Sequence, residues 1–228
     1  KFLNFKPKYL VITNIDYDHP DTFPDRESYR SAFEKLKKQT KEKVFSHETV
    51  KSLDPEFFKS FYSDYLIGEH NRQNLALVLN LAKELGVGDE MIKNGIDEFR
   101  GVRRRMEIYA QTENFIIIDD YAHHPAEISA TLEAIKEAWP ERKIAVIFQP
   151  HTFSRTKALL GEFAGAFRKA DEVYLAPTYS SARENSEESE GADGALYENV
   201  GKFNKFCFKG VPDQDAILSK RGSWIIIT

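Results

Sequence analysis

Phe115-Ile116-Ile117-Ile118-Asp119-Asp120-Tyr121-Ala122-His123-His124-Pro125 is the stretch that decides the fold. Its continuous apolar start reads as a strand buried on both faces, the habit of strands in parallel sheets. Pro125 suits a first helical turn, where its missing N–H would be unpaired anyway. Behind it Ile128, Thr131, Leu132, Ile135 and Ala138 recur at helical spacing. Two acids, a phenol and two imidazoles therefore fall at a strand-to-helix corner. In an open α/β sheet, ligands bind outside the carboxyl ends of the strands.

The pattern continues downstream. Ile144 to Phe148 predicts a strand and leads to a helix carrying Leu159, Leu160, Phe163 and Phe167. Glu172 to Ala176 and Phe206 to Phe208 predict two more short strands. Asp213 caps a helix with Ala216 and Ile217, and Trp224 to Ile227 forms a last strand. Such alternation predicts a mainly parallel sheet covered on both faces.

Upstream of about residue 100 the texture differs. One strand, Tyr9 to Thr13, precedes mostly helical patterns: a helix capped by Asp25 with Tyr29, Phe33 and Leu36 on one face, a longer one opening at Asn71 and stopping at Gly86, and a short one capped by Asp89. Lys37 to Lys43 resists assignment. The basic cluster Lys35, Lys37, Lys38, Lys41 and Lys43 is interleaved with Glu34 and Glu42, which reads as a solvated face. Ser180 to Gly194 is polar and is expected to be a mobile loop.

With 228 residues and 41% hydrophobic content, the chain is long enough for two cores. A net charge of −4 gives no general pull toward nucleic acid. No apolar run approaches a membrane span, and Lys1 to Lys6 lack the apolar core of a signal peptide, so a cytoplasmic protein is expected. The single cysteine, Cys207, excludes an internal disulfide and reads as a strand residue.

Chemistry concentrates at strand ends. Asp16, Asp18 and His19 follow the first strand and offer oxygen and imidazole ligands for a divalent cation; the plainer reading is a turn whose aspartates take loop amides. Asn71 and Asn74 share one face of a helix start, where carboxamides suit a purine edge, although Asn71 serves equally as a cap. Arg103-Arg104-Arg105 sits where the texture changes, and guanidinium groups favour phosphate oxygens; a surface arginine run is the alternative. His151 and Arg155 follow the second buried strand, where they suit an anionic carboxylate and are expected to meet Tyr121 and His123. The lesser alternative is that His151 satisfies a loop carbonyl and Arg155 pairs with Glu162 or Asp171.

Thr13 to His19, Gly68 to Asn74, Gly101 to Glu107, Asp119 to Pro125 and Phe148 to Thr156, in this order, resemble successive signatures of the Mur ligases of bacterial peptidoglycan synthesis. The resemblance implies a partial ATP-binding central domain, residues 1–102, followed by a Rossmann-like C-terminal α/β domain with a mainly parallel sheet, residues 103–228. It implies ATP and Mg2+ as cofactors and an acyl-phosphate route to an amide bond. The sequence context is most similar to the branch whose substrates are UDP-N-acetylmuramate and L-alanine. The alternatives are the branch that attaches a preformed peptide to the same nucleotide sugar and a noncatalytic binding module.

Residue by residue, the resemblance makes His19 a metal ligand and places Asn71 and Asn74 in the nucleotide region. Arg105 falls beside the ATP phosphates with Arg104 as its neighbour, and Asp120 matches an essential aspartate. Tyr121, His123 and Arg155 match positions lining the site for alanine and the product tail, with His151 a weaker member. Thr152 departs from relatives that carry a basic residue there. The family's phosphate loop, G-x-x-x-x-G-K-[ST], does not occur in this sequence, and Gly201-Lys202-Phe203 does not replace it. The resemblance sets that loop and an acid partner for the metal upstream of residue 1. The stretch from Leu36 to Gly68 is short for the strands of a complete central domain.

Overall fold

The structure is a computed structural model that describes residues 2–49, 65–179, 191–220 and 222–228. The chain divides into two compact units, Lys1–Arg100 and Gly101–Thr228.

In the first unit, β1 (Tyr9–Ile12) pairs in parallel with β2 (Lys43–Ser46), with Tyr9 opposite Lys43 and Ile12 opposite Ser46. Helix α1 (Arg26–Gln39) connects them. Its N-cap is Asp25, whose side chain accepts from the Ser28 N–H at 2.7 Å while the Ser28 hydroxyl receives the Asp25 N–H at 3.4 Å. Buried Ala32 and Leu36 form its inner face. The sequence reading of a single strand here is corrected by β2: Lys37 and Lys38 end α1, and Lys43 begins the strand. Four residues of mixed polarity carry no apolar run, so β2 is specified by its partner strand rather than by its own pattern.

Helix α2 (Glu69–Glu84) and helix α3 (Asp89–Glu98) follow. Gly68 and Gly88 occupy the N-cap positions, so Asn71 and Asp89 lie inside their helices rather than capping them. The end of α2 is as expected. Gly86 takes φ +77°, its N–H reaches the Lys83 carbonyl at 3.0 Å, and the Val87 N–H reaches Ala82 at 3.0 Å. Val87 is thereby delivered onto the cluster of Leu79, Ile92 and Ile96, joined by Leu75 and Ala82. The residues between Leu36 and Gly68 include 50–64, which lie outside the described ones.

The second unit is an α/β layer structure. Strands β3 (Glu107–Gln111), β4 (Phe115–Asp119), β5 (Lys143–Phe148), β6 (Glu172–Leu175), β7 (Cys207–Lys209) and β8 (Trp224–Ile227) form a sheet in the order β3-β4-β8-β5-β6-β7. All pairings are parallel except that of β3 with β4. The mainly parallel sheet predicted from the sequence is what forms. Strand β8 closes between β4 and β5 and is buried along its whole length, as Trp224-Ile225-Ile226-Ile227 requires.

Helices α4 (Pro125–Ala138), α5 (Phe153–Ala158), α6 (Leu160–Ala166), α7 (Ala192–Gly201) and α8 (Gln214–Leu218) supply the connections. Helix α4 buries Ile128, Thr131, Leu132 and Ile135, the residues spaced helically in the sequence. Helix α6 packs against both α4 and α7. Ile116, Ile118, Ile144, Phe163, Phe167, Val173 and Ile225 are all essentially inaccessible and form the core. Each such side chain contributes about 1.5–3 kcal/mol relative to exposure.

Three local expectations change. Strand β3 was absent from the sequence reading, because its residues beyond Glu107 are solvent-exposed and a register shift falls between Ile108 and Ala110. The helix expected through Leu159 to Phe167 is two helices that break at Leu159. Of the expected loop Ser180 to Gly194, residues 180–190 lie outside the described ones, while Ala192 and its successors open α7.

Candidate active site

The carboxyl ends of β4, β5, β6 and β8 open into one cleft of about 740 Å³. Arg104, Asp119, Asp120, Tyr121, His123, Gln149, His151, Tyr179, Val211 and Thr228 line it. Its place follows from the topology, since parallel strands deliver all their C-terminal loops to the same edge.

Asp120 stands at the end of β4. Its main-chain N–H donates to the Thr228 carbonyl at 3.0 Å, which fixes it beside the end of β8. One carboxylate oxygen accepts from the Ala122 N–H at 2.7 Å; the other accepts from the Met106 N–H at 3.0 Å and the Thr131 hydroxyl at 3.3 Å. Burial raises its pKa above the ordinary aspartate value, and this outweighs those three hydrogen bonds and the nearby Arg105 charge, which act in the opposite direction.

The segment Val102 to Met106 lies across this corner as a strap. Val102 and Arg105 form an antiparallel bridge, and Arg104 and Met106 take φ values of 57° and 50°. Left-handed backbone is costly for residues with a Cβ and persists where neighbours over-determine it. Here the neighbours are identifiable. The Arg104 carbonyl accepts from the Tyr121 N–H at 2.8 Å, the Arg104 N–H donates to Glu107 at 2.9 Å, and Met106 is held by Asp120.

This strap sets the arginines on the corner. The Arg104 guanidinium lies 4.5 Å from the Tyr121 ring centroid, and Arg105 lies 5.9 Å from it. Tyr121 also meets His123 edge to face, with centroids 5.0 Å apart. The His123 Nδ1 sits 2.8 Å from the Tyr121 carbonyl. A carbonyl only accepts, so Nδ1 carries a proton in this arrangement.

Helix α4 begins at this corner with His124 as its N-cap, the imidazole accepting from the Ala126 N–H at 3.2 Å. Glu127 closes the capping box by accepting from the His123 and His124 N–H groups at 3.0 and 3.2 Å. It also lies 3.6 Å from the Arg105 guanidinium. The first amides of this helix are thus already paired with the chain's own side chains. Positive charge for an anionic ligand at this corner comes from the guanidinium groups instead.

At the second corner, His151 stacks on Tyr179, with centroids 5.4 Å apart and planes inclined by 13°. Their backbones form a parallel bridge, and the Tyr179 N–H donates to the Pro150 carbonyl at 2.8 Å. Arg155 does not line the cleft in this structure. It is buried at 6% exposure and its guanidinium donates back to the His151 carbonyl.

Of the residues singled out in the sequence, the second unit brings Arg104, Asp120, Tyr121, His123 and His151 to one cleft, with Arg105 beside it. Gln149, Tyr179, Val211 and Thr228 were missed. They come from the ends of different strands, and only the register of the sheet unites them. Glu127 carried a local signal, a glutamate three residues after the cap, but a histidine at the cap hid it.

His19, Asn71 and Asn74 belong to the first unit. His19 takes φ 58° on an exposed loop, with Asp18 3.7 Å from its Nε2 and Asp21 3.8 Å from its Nδ1. The two carboxylates thus face opposite nitrogens of the ring. Asp16 accepts from the Asn14 carboxamide at 2.9 Å, and Asp18 accepts the His19 N–H at 2.7 Å. No group of three His, Cys, Asp or Glu residues able to hold a metal ion occurs among the described residues. Among the described residues these donors do not form a complete cation site. Asn71 and Asn74 both lie in the first turns of α2, and the Asn71 carboxamide donates to the Ile67 carbonyl at 2.9 Å.

Fold and site together define an α/β domain that gathers arginine, aspartate and histidine in a cleft at the carboxyl edge of a parallel sheet. The family described as Mur ligase, glutamate ligase domain, matches residues 104–219, about half of the chain. The chain belongs to this family. It is 37% identical over 221 residues to the UDP-N-acetylmuramate--L-alanine ligase of Ligilactobacillus salivarius, covering 81% of this chain and 50% of that protein. The corresponding ligase of Lactiplantibacillus plantarum is 36% identical, with 81% of this chain and 51% of the relative aligned. The chain thus spans about half the length of the curated relatives it matches.

Among solved structures, UDP-N-acetylmuramate-alanine ligase MurC from Thermotoga maritima superposes with a TM-score of 0.67 at 24% identity, covering 99% of this chain and 56% of that one. MurF ligase from the same organism, in complex with ADP, gives 0.65 at 15% identity and covers 97% of this chain and 58% of its own. At these identities the likeness is one of fold.

Proposed function

We propose that this chain is part of an ATP-dependent ligase that joins L-alanine to UDP-N-acetylmuramate in peptidoglycan synthesis, acting in the cytoplasm with ATP as its magnesium complex. The observation that carries this reading is the convergence of Arg104, Asp120, Tyr121, His123 and His151 on one cleft, in a chain 37% identical to a ligase of that name. The carboxylate of the nucleotide sugar takes the γ-phosphoryl group of ATP, the amine of alanine attacks the acyl phosphate, and phosphate leaves. Such chemistry is catalysed by positioning and charge neutralisation and needs no covalent enzyme intermediate.

In this scheme Arg105, with Arg104 beside it, neutralises the phosphoryl oxygens, and Asn71 and Asn74 face the nucleotide. Asp120 holds the arginine strap in place through the Met106 amide and is essential for that reason. Tyr121, His123 and His151 form the side that receives the amino acid and the product tail, with Arg155 behind them holding the His151 carbonyl. His123 is suited to take a proton from the alanine ammonium group and so free the amine that attacks. His19 would supply one ligand to the divalent cation that accompanies ATP.

The test is phosphate release by the full-length protein given ATP, Mg2+, UDP-N-acetylmuramate and L-alanine. Phosphate and the alanyl product in equal amounts are expected. Release that depends on a preformed peptide and not on alanine would move the chain to the recycling branch of the family. No release with either acceptor would leave a binding module. The isolated chain, which contains no G-x-x-x-x-G-K-[ST] loop, is expected to form no amide.

A further inference from the structure

We propose that Glu127 is a positioning residue that couples the arginine strap to the two-histidine corner, so that its charge, and not only its role in capping α4, sets the rate of the reaction. This rests on the ligase reading above. Glu127 occupies the third position of α4 and is one-third exposed. Its Oε2 accepts the N–H groups of His123 and His124 at 3.0 and 3.2 Å, and lies 3.7 Å from the His123 Nδ1. Its Oε1 faces the Arg105 guanidinium at 3.6 Å. One carboxylate therefore bridges the arginine strap and the histidine corner, both of which also contact Tyr121.

Capping alone does not account for this arrangement. A capping box needs one acceptor oxygen, and glutamine supplies it as well as glutamate does. The second oxygen, turned toward Arg105, is surplus to the helix. An ion pair this exposed contributes little to stability, since the Arg105 side chain is 51% accessible. Its consequence is geometric. A long guanidinium side chain has many rotamers, and a fixed anion on a helix end selects the few that point to the corner. The Tyr121 ring, 5.9 Å from the same guanidinium, restricts it from another side.

The same carboxylate orients His123. By holding the His123 main chain while Nδ1 donates to the Tyr121 carbonyl, it fixes the direction in which Nε2 points. Glu127 thus sets the phosphate-facing cation and the amine-facing base from one point without touching substrate.

Glu127→Gln separates the two roles, because it keeps the cap and removes the charge. In the full-length enzyme that carries this chain, E127Q is expected to melt with the wild type and to lose about tenfold in kcat, with KM for alanine little changed. In an R105A background the same substitution is expected to cost less than twofold more, because the group it positions is gone. Wild-type kcat in E127Q, or a full further loss in R105A, would overturn the proposal. If the wild-type enzyme forms no amide, the ligase reading fails and the coupling is read on this chain by NMR. The Arg105 Nε–H signal is then expected to move in E127Q while β5 and β6 amides stay fixed. An unmoved signal would defeat the coupling on its own.

Discussion

The main-chain N–H of Met106 donates to the Asp120 carboxylate at 3.0 Å, tying a left-handed residue in the arginine strap to the end of β4. This aspartate acts as a strut. Its other hydrogen bonds reach Ala122 and Thr131, so three separate segments converge on one side chain. Asp120→Asn supplies one carbonyl oxygen where two oxygens now accept, and turns an NH2 group toward a backbone N–H. The variant is expected to unfold cooperatively yet lose about 100-fold in turnover in the full-length enzyme, a size typical for misplaced charge stabilisation. Wild-type turnover would remove Asp120 from the site. Hydrogen exchange is expected to accelerate at Met106 or Ala122 while the β5 and β6 amides are unaffected.

Burial raises the Asp120 pKa, so its carboxyl carbon should titrate by NMR above the ordinary value of 3.8. The consequence for stability has a definite sign. Over the window between 3.8 and the folded value, the folded chain binds more protons than the unfolded chain, and this group's contribution to stability falls as pH rises. Above the folded value the cost of the buried charge is complete. Acidification through that window should therefore give back part of the stability in wild type and none of it in Asp120→Asn. Titration at or below 3.8 would show that the hydrogen bonds outweigh burial.

Thr131 sits on the buried face of α4 at 5% exposure, with its hydroxyl 3.3 Å from Asp120. Thr131→Val preserves shape and deletes one donor. It is expected to destabilise the second unit by about 1 kcal/mol at neutral pH, the net worth of such a bond. It should also raise the Asp120 pKa further, because one of the groups favouring the ionised form is gone. Denaturant melts and the same NMR titration check both parts.

What the sequence made legible depends on how locally each feature is specified. The strand at Phe115 to Asp119, the proline start of α4 and the buried β8 are written in continuous apolar runs, and all formed as expected. Strand β3 is Glu-Ile-Tyr-Ala-Gln, with Tyr109 78% exposed, and only its pairing with β4 makes it a strand. The same division holds in the site. Asp120, Tyr121 and His123 were visible because one corner carries all three. Tyr179 and Thr228 were not, because they reach the cleft from β6 and β8 through sheet register. Arg155 looked like a cleft residue from its spacing after β5. Helix α5 instead turns its guanidinium back to the His151 carbonyl.

Arg104 over Tyr121 gives a further test, since one ring contacts both a guanidinium and an imidazole. Tyr121→Leu keeps apolar bulk at a residue 42% exposed and removes the aromatic face. Stability should change by less than about 1 kcal/mol, the scale of an exposed cation–π contact. Turnover in the full-length enzyme should fall several-fold more than that change implies, with KM for alanine raised. Equal and small effects on stability and turnover would make Tyr121 a surface residue.

Gly86 provides a test of the first unit that is independent of the site. Its φ of +77° lies in the region that L side chains rarely adopt, and a Cβ there would meet no atom within 4 Å. The cost of Gly86→Ala is therefore conformational and not steric. Loss of the turn would also misdirect Val87, whose N–H closes the end of α2 on the Ala82 carbonyl and whose side chain packs on Leu79, Ile92 and Ile96. A destabilisation of about 1 kcal/mol is expected, confined to the transition of the first unit. Gly86→Asn, which tolerates this conformation better, should recover part of it. If alanine and asparagine were equally harmless, the glycine would not be what sets the helix end.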